Sequence, residues 1–341
     1  MLPRENQFSG CLIGQCLGDA LGFVVEGFSP EACKRYVEDY LRTGKAGEFG
    51  RFPFPFGQYS DDSQLARELI QSYVARGRFD PSDYAERIKC LFVERRAVGF
   101  GYSTRQAALR LADGVNWEEA GTPPPSAGNG SAMRAAPIGL MFFDNPDQLI
   151  QAAHDQGRIT HQDPRCSAGA VAISGAVAIV LQSQRIDIGS FISSLSEWTR
   201  RIDKTFSSEL EKMADWLRLE PEEAAIHISK AGIRNDYVEE DGWQGITPFA
   251  VGSVLWSLYS FLSTPENYWE TICTALSVGG DVDTTSAMAG AISGAYLGLN
   301  AIPSNMTHSL TDRKTWGFSE LVELAHRCYK IKIQQMKKAG S

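Results

Sequence analysis

Apolar residues recur along most of this chain with the 3.6-residue period of an α-helix, not with the alternation of a half-buried strand. After Asp61 and Asp62 they fall at Leu65, Leu69, Ile70, Tyr73 and Val74, and similar stripes run through 84–92, 104–111, 164–181, 207–217, 248–262 and 318–331. Alternating segments are few, and no block of about 20 to 50 residues repeats. The pattern predicts an all-α fold. No linker-like stretch separates the stripes, so residues 1–341 read as one domain of about a dozen helices. The polar region 182–242 is the place for a variable insertion, with helices expected inside it at 207–217 and 221–230.

Two stretches are apolar without a polar face, 168–181 and 287–299. Both fall short of the roughly 18 to 20 residues that cross a bilayer, and both are rich in Ala and Gly, so they read as helices buried in a core. Glycine also has a period of its own. Gly10, Gly14, Gly18 and Gly22 recur every four residues, as do Gly290, Gly294 and Gly298. Each interior helical Gly costs about 1 kcal/mol relative to Ala, and close approach of a second backbone is the simplest compensation.

Charge changes the picture by exclusion. With 33 Lys and Arg against 41 Asp and Glu, the net charge of -8 argues against general attraction to nucleic acid or to an anionic membrane. Lys330, Lys332, Lys337 and Lys338 read as the solvated cations of a final helix. The seven cysteines contain no C-x-x-C and no spacing that pairs them with the five histidines, a usage that fits a reducing compartment and makes zinc an unsuitable metal. The first residues lack the apolar core of a signal peptide, so a cytoplasmic location is expected.

Candidate chemistry sits at helix starts. Ser60-Asp61-Asp62-Ser63 precedes an amphipathic stripe. One Asp there is an ordinary N-cap, but two adjacent carboxylates flanked by hydroxyls exceed what capping needs. Gly279-Gly280-Asp281-Val282-Asp283-Thr284-Thr285 repeats the theme ahead of the second glycine-spaced helix. Together they offer four carboxylates and hydroxyls, a hard-oxygen set suited to Mg²⁺ or Mn²⁺. The small-residue loop from Ser126 to Arg134 can bring backbone N–H groups to phosphate oxygens, although it lacks the lysine of a P-loop. His161 stands just outside another helix start, with Asp163 as N-cap and Pro164 as first residue. Three helix N-termini near one site would receive a diphosphate.

Five motifs in this order resemble the ADP-ribosylglycohydrolases, the family of the dinitrogenase reductase-activating glycohydrolase and the ADP-ribosylhydrolases. They are Gly14-x3-Gly18-Asp19-Ala20-Leu21-Gly22-x3-Glu26, Ser60-Asp61-Asp62-Ser63, Gly128-Asn129-Gly130-Ser131-Ala132-Met133-Arg134, Thr160-His161 and Gly279-Gly280-Asp281-x-Asp283-Thr284. The resemblance implies an orthogonally packed all-α domain with a central cleft holding two Mg²⁺ or Mn²⁺ ions. By motif match, Ser60, Asp61, Asp62, Asp281, Asp283 and Thr284 would be the metal ligands; the family usually has Thr where this chain has Ser60. Glu26 matches the family's mobile or catalytic glutamate, and Asp61, Asp62 and Glu26 are the candidate catalytic bases, unranked. Ser126, Gly128, Asn129, Gly130 and His161 match positions that hold ADP-ribose. The implied activity is hydrolysis of the N-glycosidic bond of ADP-ribosyl-arginine on a modified protein. The alternatives are action on serine-linked or O-acetyl-ADP-ribose, or a non-catalytic protein of the same fold.

Overall fold

The computed structural model describes residues 2–233 and 242–339. Its helices are, in chain order, α1 (Glu5–Phe23), α2 (Pro30–Tyr36), α3 (Asp61–Arg76), α4 (Pro81–Val93), α5 (Tyr102–Ala112), α6 (Ala136–Phe142), α7 (Pro146–Arg158), α8 (Pro164–Gln182) and α9 (Ile188–Arg200), followed by α10 (Lys204–Glu211), α11 (Met213–Trp216), α12 (Pro221–Ile228), α13 (Ala250–Ser263), α14 (Tyr268–Leu276), α15 (Val282–Leu297), α16 (Ser304–Thr307) and α17 (Phe318–Ala339). Among the described residues there is no strand; isolated bridges such as Thr122 with His161, Gly128 with Phe249 and Ile246 with Gly280 pin the loops instead. The fold is all-α.

The two glycine-spaced helices explain each other. A Cβ added at Gly10 would lie 2.3 Å from Gly294 O, at Gly14 2.4 Å from Gly290 O, and at Gly18 2.1 Å from Ser286 O. A step of four forward along α1 is thus a step of four backward along α15, the register of an antiparallel pair whose backbones touch. Ser286 replaces the expected glycine in this series and donates its hydroxyl to Gly18 O at 2.8 Å. Because α1 is buried from Gln7 to Phe23, it carries no apolar stripe for periodicity to find.

Other helices pack around this pair. α8 is long and apolar enough to cross a membrane by composition, yet 89% of its apolar window is buried inside the molecule. α3 is tied to the segment before α17 by a buried network: Arg67 pairs with Asp312 at 2.7 Å, and Gln64 donates to Asp312 at 2.8 Å.

Two expectations change. The stripe at 207–217 is not one helix but α10 and α11, with Lys212 between them. Lys332 is not a solvated cation: it is 6% exposed, pairs with Asp144 at 2.5 Å and lies over the Phe143 ring, its long stem packed on apolar surface. Within the segment read as an insertion, residues 234–241 lie outside the described residues.

Candidate active site

Two helix starts carry the carboxylates. At α3 the N-cap is Ser60, whose hydroxyl accepts from Asp62 N at 3.3 Å. Capping is therefore done by the serine, and both Asp61 and Asp62 in the first turn are left for other work. At α15, Asp281 occupies the N-cap position without a side-chain capping bond; its Oδ2 accepts from Asn129 Nδ2 at 2.5 Å. Thr284 Oγ1 donates to Asp62 Oδ1 at 3.3 Å and so joins the two starts. Gly280 is obligatory in this turn, with φ of +88° and room for no Cβ, which would lie 2.0 Å from Ile246 O.

Glu26, Asp61, Asp62, Asp281, Asp283 and Thr284 line one cleft of about 620 Å³ together with Ser126, Gly128, Asn129, Gly130 and His161. Of the candidate metal ligands, catalytic bases and ADP-ribose positions named from the sequence, Ser60 alone is not on its wall. Carboxylate oxygens of Glu26, Asp281 and Asp283 come within 4.8 Å of one another, as do those of Asp19, Asp62 and Asp283. Asp61 Oδ2 and Asp62 Oδ2 are buried without a hydrogen-bond partner among the described residues. Orphaned anionic oxygens at this depth are costly. Burial accordingly pushes the carboxyls up, Asp281 to about 6, with Asp61, Asp62 and Asp283 moved in the same direction and their acidic neighbours adding to it. An all-oxygen donor set of this kind fits a hard divalent cation.

Other lining residues offer groups suited to an anion. Arg134 Nη2 donates to Thr160 Oγ1 at 2.7 Å, and Thr160 Oγ1 lies 2.8 Å from His161 Nδ1. The hydroxyl can accept twice, but Nδ1 is the one acceptor the described residues offer its own proton; donating to Nδ1 satisfies both groups and places the ring hydrogen on Nε2. That nitrogen faces Gly128 and Gly130, where added Cβ atoms would lie 3.4 and 3.2 Å from it. Burial and the nearby Arg134 charge lower the His161 pKa to about 3, so the ring is a neutral donor at physiological pH. The first turn of α5 also opens here, at Gly101, Tyr102, Ser103 and Thr104. Gly101 at its N-cap has no side chain to fill the N–H groups behind it. The third N-terminus on the cleft is thus that of α5, not the expected start of α8, whose Asp163 cap is engaged with Arg165.

Comparison with known proteins decides the family. The family model described as ADP-ribosylglycohydrolase matches residues 2–337. The chain belongs to the ADP-ribosylglycohydrolase family. The enzyme is 29% identical to ADP-ribosylhydrolase ARH3 of Xenopus tropicalis, over 98% of this chain and 99% of that protein. It is 25% identical to the ADP-ribosyl-[dinitrogen reductase] glycohydrolase of Rhodospirillum rubrum, over 88% and 89%. A solved structure titled ADP-ribosylglycohydrolase-related protein complex superposes with a TM-score of 0.67 at 26% identity, over 97% of this chain and 99% of that one.

In this glycohydrolase the sequence motifs left one acid without a role. Asp19 is fully buried, and its Oδ1 and Oδ2 accept from Ser60 N at 2.8 Å and Ser63 N at 3.0 Å. With an N–H on each oxygen, it braces the start of α3 from α1 and is not on the cleft wall. The signal was the one acid in the largely apolar run 11–25. Trp243 and Thr247 on the wall carry no motif and were legible only in three dimensions.

Proposed function

We propose that the protein is a divalent-cation-dependent hydrolase that releases ADP-ribose from arginine side chains of modified proteins. The observation that carries this reading is the pair of orphaned, buried oxygens on Asp61 and Asp62, two residues of a cleft whose lining also offers His161 Nε2–H and the first turn of α5. Asp61, Asp62, Asp281, Asp283 and Thr284 would hold the cation, taken as two Mg²⁺ or Mn²⁺ ions. When bound, such ions supply charge stabilisation and lower the pKa of water. Glu26, whose side chain is 20% exposed, is the base that can meet solvent most readily. The neutral His161 donates to a diphosphate oxygen while the Gly128–Gly130 backbone approaches closely. A wall of carboxylates favours a leaving group that departs as a cation, which is why arginine is placed ahead of neutral oxygen linkages. The seven thiols are unpaired and six are buried, which supports a reducing, cytoplasmic setting.

Arginine-, serine- and acetyl-linked ADP-ribose, each offered with Mg²⁺, Mn²⁺ or EDTA, test the proposal. Release from the arginine linkage is expected to be fastest and to stop in EDTA; preference for an oxygen linkage would reassign the substrate, and activity in EDTA would remove the metal. A thermal measurement checks the same centre without turnover. The raised carboxyls hold protons in the folded protein that the unfolded chain has lost, so the metal-free protein loses stability as pH rises from near 3.8 through the 6 to 7 range. Mg²⁺ or Mn²⁺ should therefore raise the melting temperature more at about pH 8 than at about pH 5.5. An equal shift at both would mean that the acids do not share the cation.

A further inference from the structure

Glu26 follows α1 in a turn whose backbone is stitched on both sides of it. Gly27 N donates to Gly280 O at 2.8 Å, and Gly280 N donates to Phe28 O at 3.1 Å. The backbone is therefore fixed to the loop that carries Asp281, but the side chain is in a poor electrostatic position. Its oxygens are near those of Asp281 and Asp283, all of one charge, and solvent is within reach. Left alone, such a carboxylate turns outward. It does not, because Arg51 reaches over from the loop before α3.

Three contacts of Arg51 converge on two residues one turn apart, Phe23 and Glu26. Its Nη1 donates to Phe23 O at 2.8 Å and to Glu26 Oε2 at 2.5 Å, and its guanidinium lies 4.3 Å from the centroid of the Phe23 ring. Phe23 O belongs to the last turn of α1, where carbonyls have no partner within the helix. The planar fork suits this triple role, which a lysine ammonium could fill only in part. Oε1 of Glu26 carries no hydrogen bond among the described residues.

We propose that Arg51 is a positioning residue that holds Glu26 at the edge of the carboxylate cluster, with one oxygen in the ion pair and the other presented to the reaction. This inference rests on the reading that the cleft binds a divalent cation. It assigns to Arg51 a task separate from folding: it decides how the Glu26 carboxylate is shared between guanidinium and metal. With Arg51 gone and the cation bound, Glu26 loses its counter-charge at the rim and collapses onto the cation. Metal binding then tightens while turnover slows, because the base is no longer held where water arrives.

The experiment is a double-mutant cycle on the full chain: wild type, Arg51→Gln, Glu26→Gln and the double variant, each titrated with Mn²⁺ and followed by electron paramagnetic resonance. Arg51→Gln should tighten Mn²⁺ binding by about threefold, the size appropriate to a half-exposed ion pair. On the Glu26→Gln background the same change should fall below about 1.5-fold, since the released guanidinium is then screened by solvent. In turnover, Arg51→Gln should lower kcat by about tenfold with KM within about threefold, and Arg51→Lys should recover part of the loss. An equal effect of Arg51→Gln with and without the Glu26 charge would reduce Arg51 to a cap on α1 and overturn the proposal. Mn²⁺ affinity and kcat left at wild-type values would do the same. Failure of the wild type itself to bind Mn²⁺ would strike the underlying reading, and is thereby distinct from binding without coupling.

Discussion

Asp283→Asn should lower kcat by about a thousandfold or more, while raising the melting temperature of the metal-free protein. The two effects have one origin. Asp283 is buried, and the charged groups that act on its carboxyl are Glu26, Asp62, Asp281 and Asp19, every one an acid. The amide keeps the shape and removes the repulsion, so the empty centre relaxes; the same loss of charge removes several kcal/mol of cation-mediated transition-state stabilisation, about a factor of ten for each 1.4 kcal/mol. Asp61→Asn should lose as much activity but gain less stability, because Asp61 also faces the buried Arg134 charge, which it would leave unbalanced. Rates at saturating Mn²⁺ and unfolding in EDTA at about pH 8 measure both. A variant that turns over at the wild-type rate would take its residue out of the centre, and a lower metal-free melting temperature for Asp283→Asn would contradict the repulsion.

Gly18→Ala is expected to do nearly as much damage from a position that no substrate touches. In an ordinary exposed helix the exchange stabilises by about 1 kcal/mol. Here the new methyl would lie 2.1 Å from Ser286 O and 2.6 Å from Ser286 C, and backbone cannot turn aside as a side chain can. Overpacking of this sort costs about 1–3 kcal/mol or more, and the only relief is to part α1 from α15. Parting them pulls Asp19 away from Ser60 N and Ser63 N, and so tilts the start of α3. Activity should thus fall further than stability. Gly189→Ala is the control: Gly189 is exposed on α9, an added Cβ would meet only Asp187 Oδ1 at an ordinary 3.6 Å, and that variant should melt at or above the wild-type temperature. Equal behaviour of the two variants in thermal unfolding and kcat would mean that the helix pair is looser than its geometry.

What was legible in the sequence was what lies close in sequence. The Ser60–Ser63 and Gly279–Thr285 clusters each occupy one turn, so their acids could be grouped before any fold was known. The glycine spacing told that two backbones touch, and the missing polar face over 287–299 told that one of the two helices is buried all round; that α1 is buried in the same way was not read from its sequence. The role of Asp19 was hidden because its partners, the amides of Ser60 and Ser63, lie on another helix and carry no residue-type signature. The start of α5 was missed for a similar reason: its N-cap is Gly101, and a glycine announces no cap. The start of α8 looked the better anion site since Asp163 and Pro164 mark it so clearly, yet that same aspartate occupies it.

The contact between α1 and α15 also bears on how the molecule comes into being. Gly22 lies against Val282 and Asp283, about 260 residues further along the chain. On the ribosome, α1 emerges with an apolar surface and a glycine groove that nothing nearby in sequence fills, and its partner follows only after that whole span has been made. Loop closure over such a span is slow and leaves the groove open to wrong partners in the interval. The metal centre straddles this same junction, so it is among the last parts to assemble, and a chain interrupted before α15 would have its first helix but no site at all.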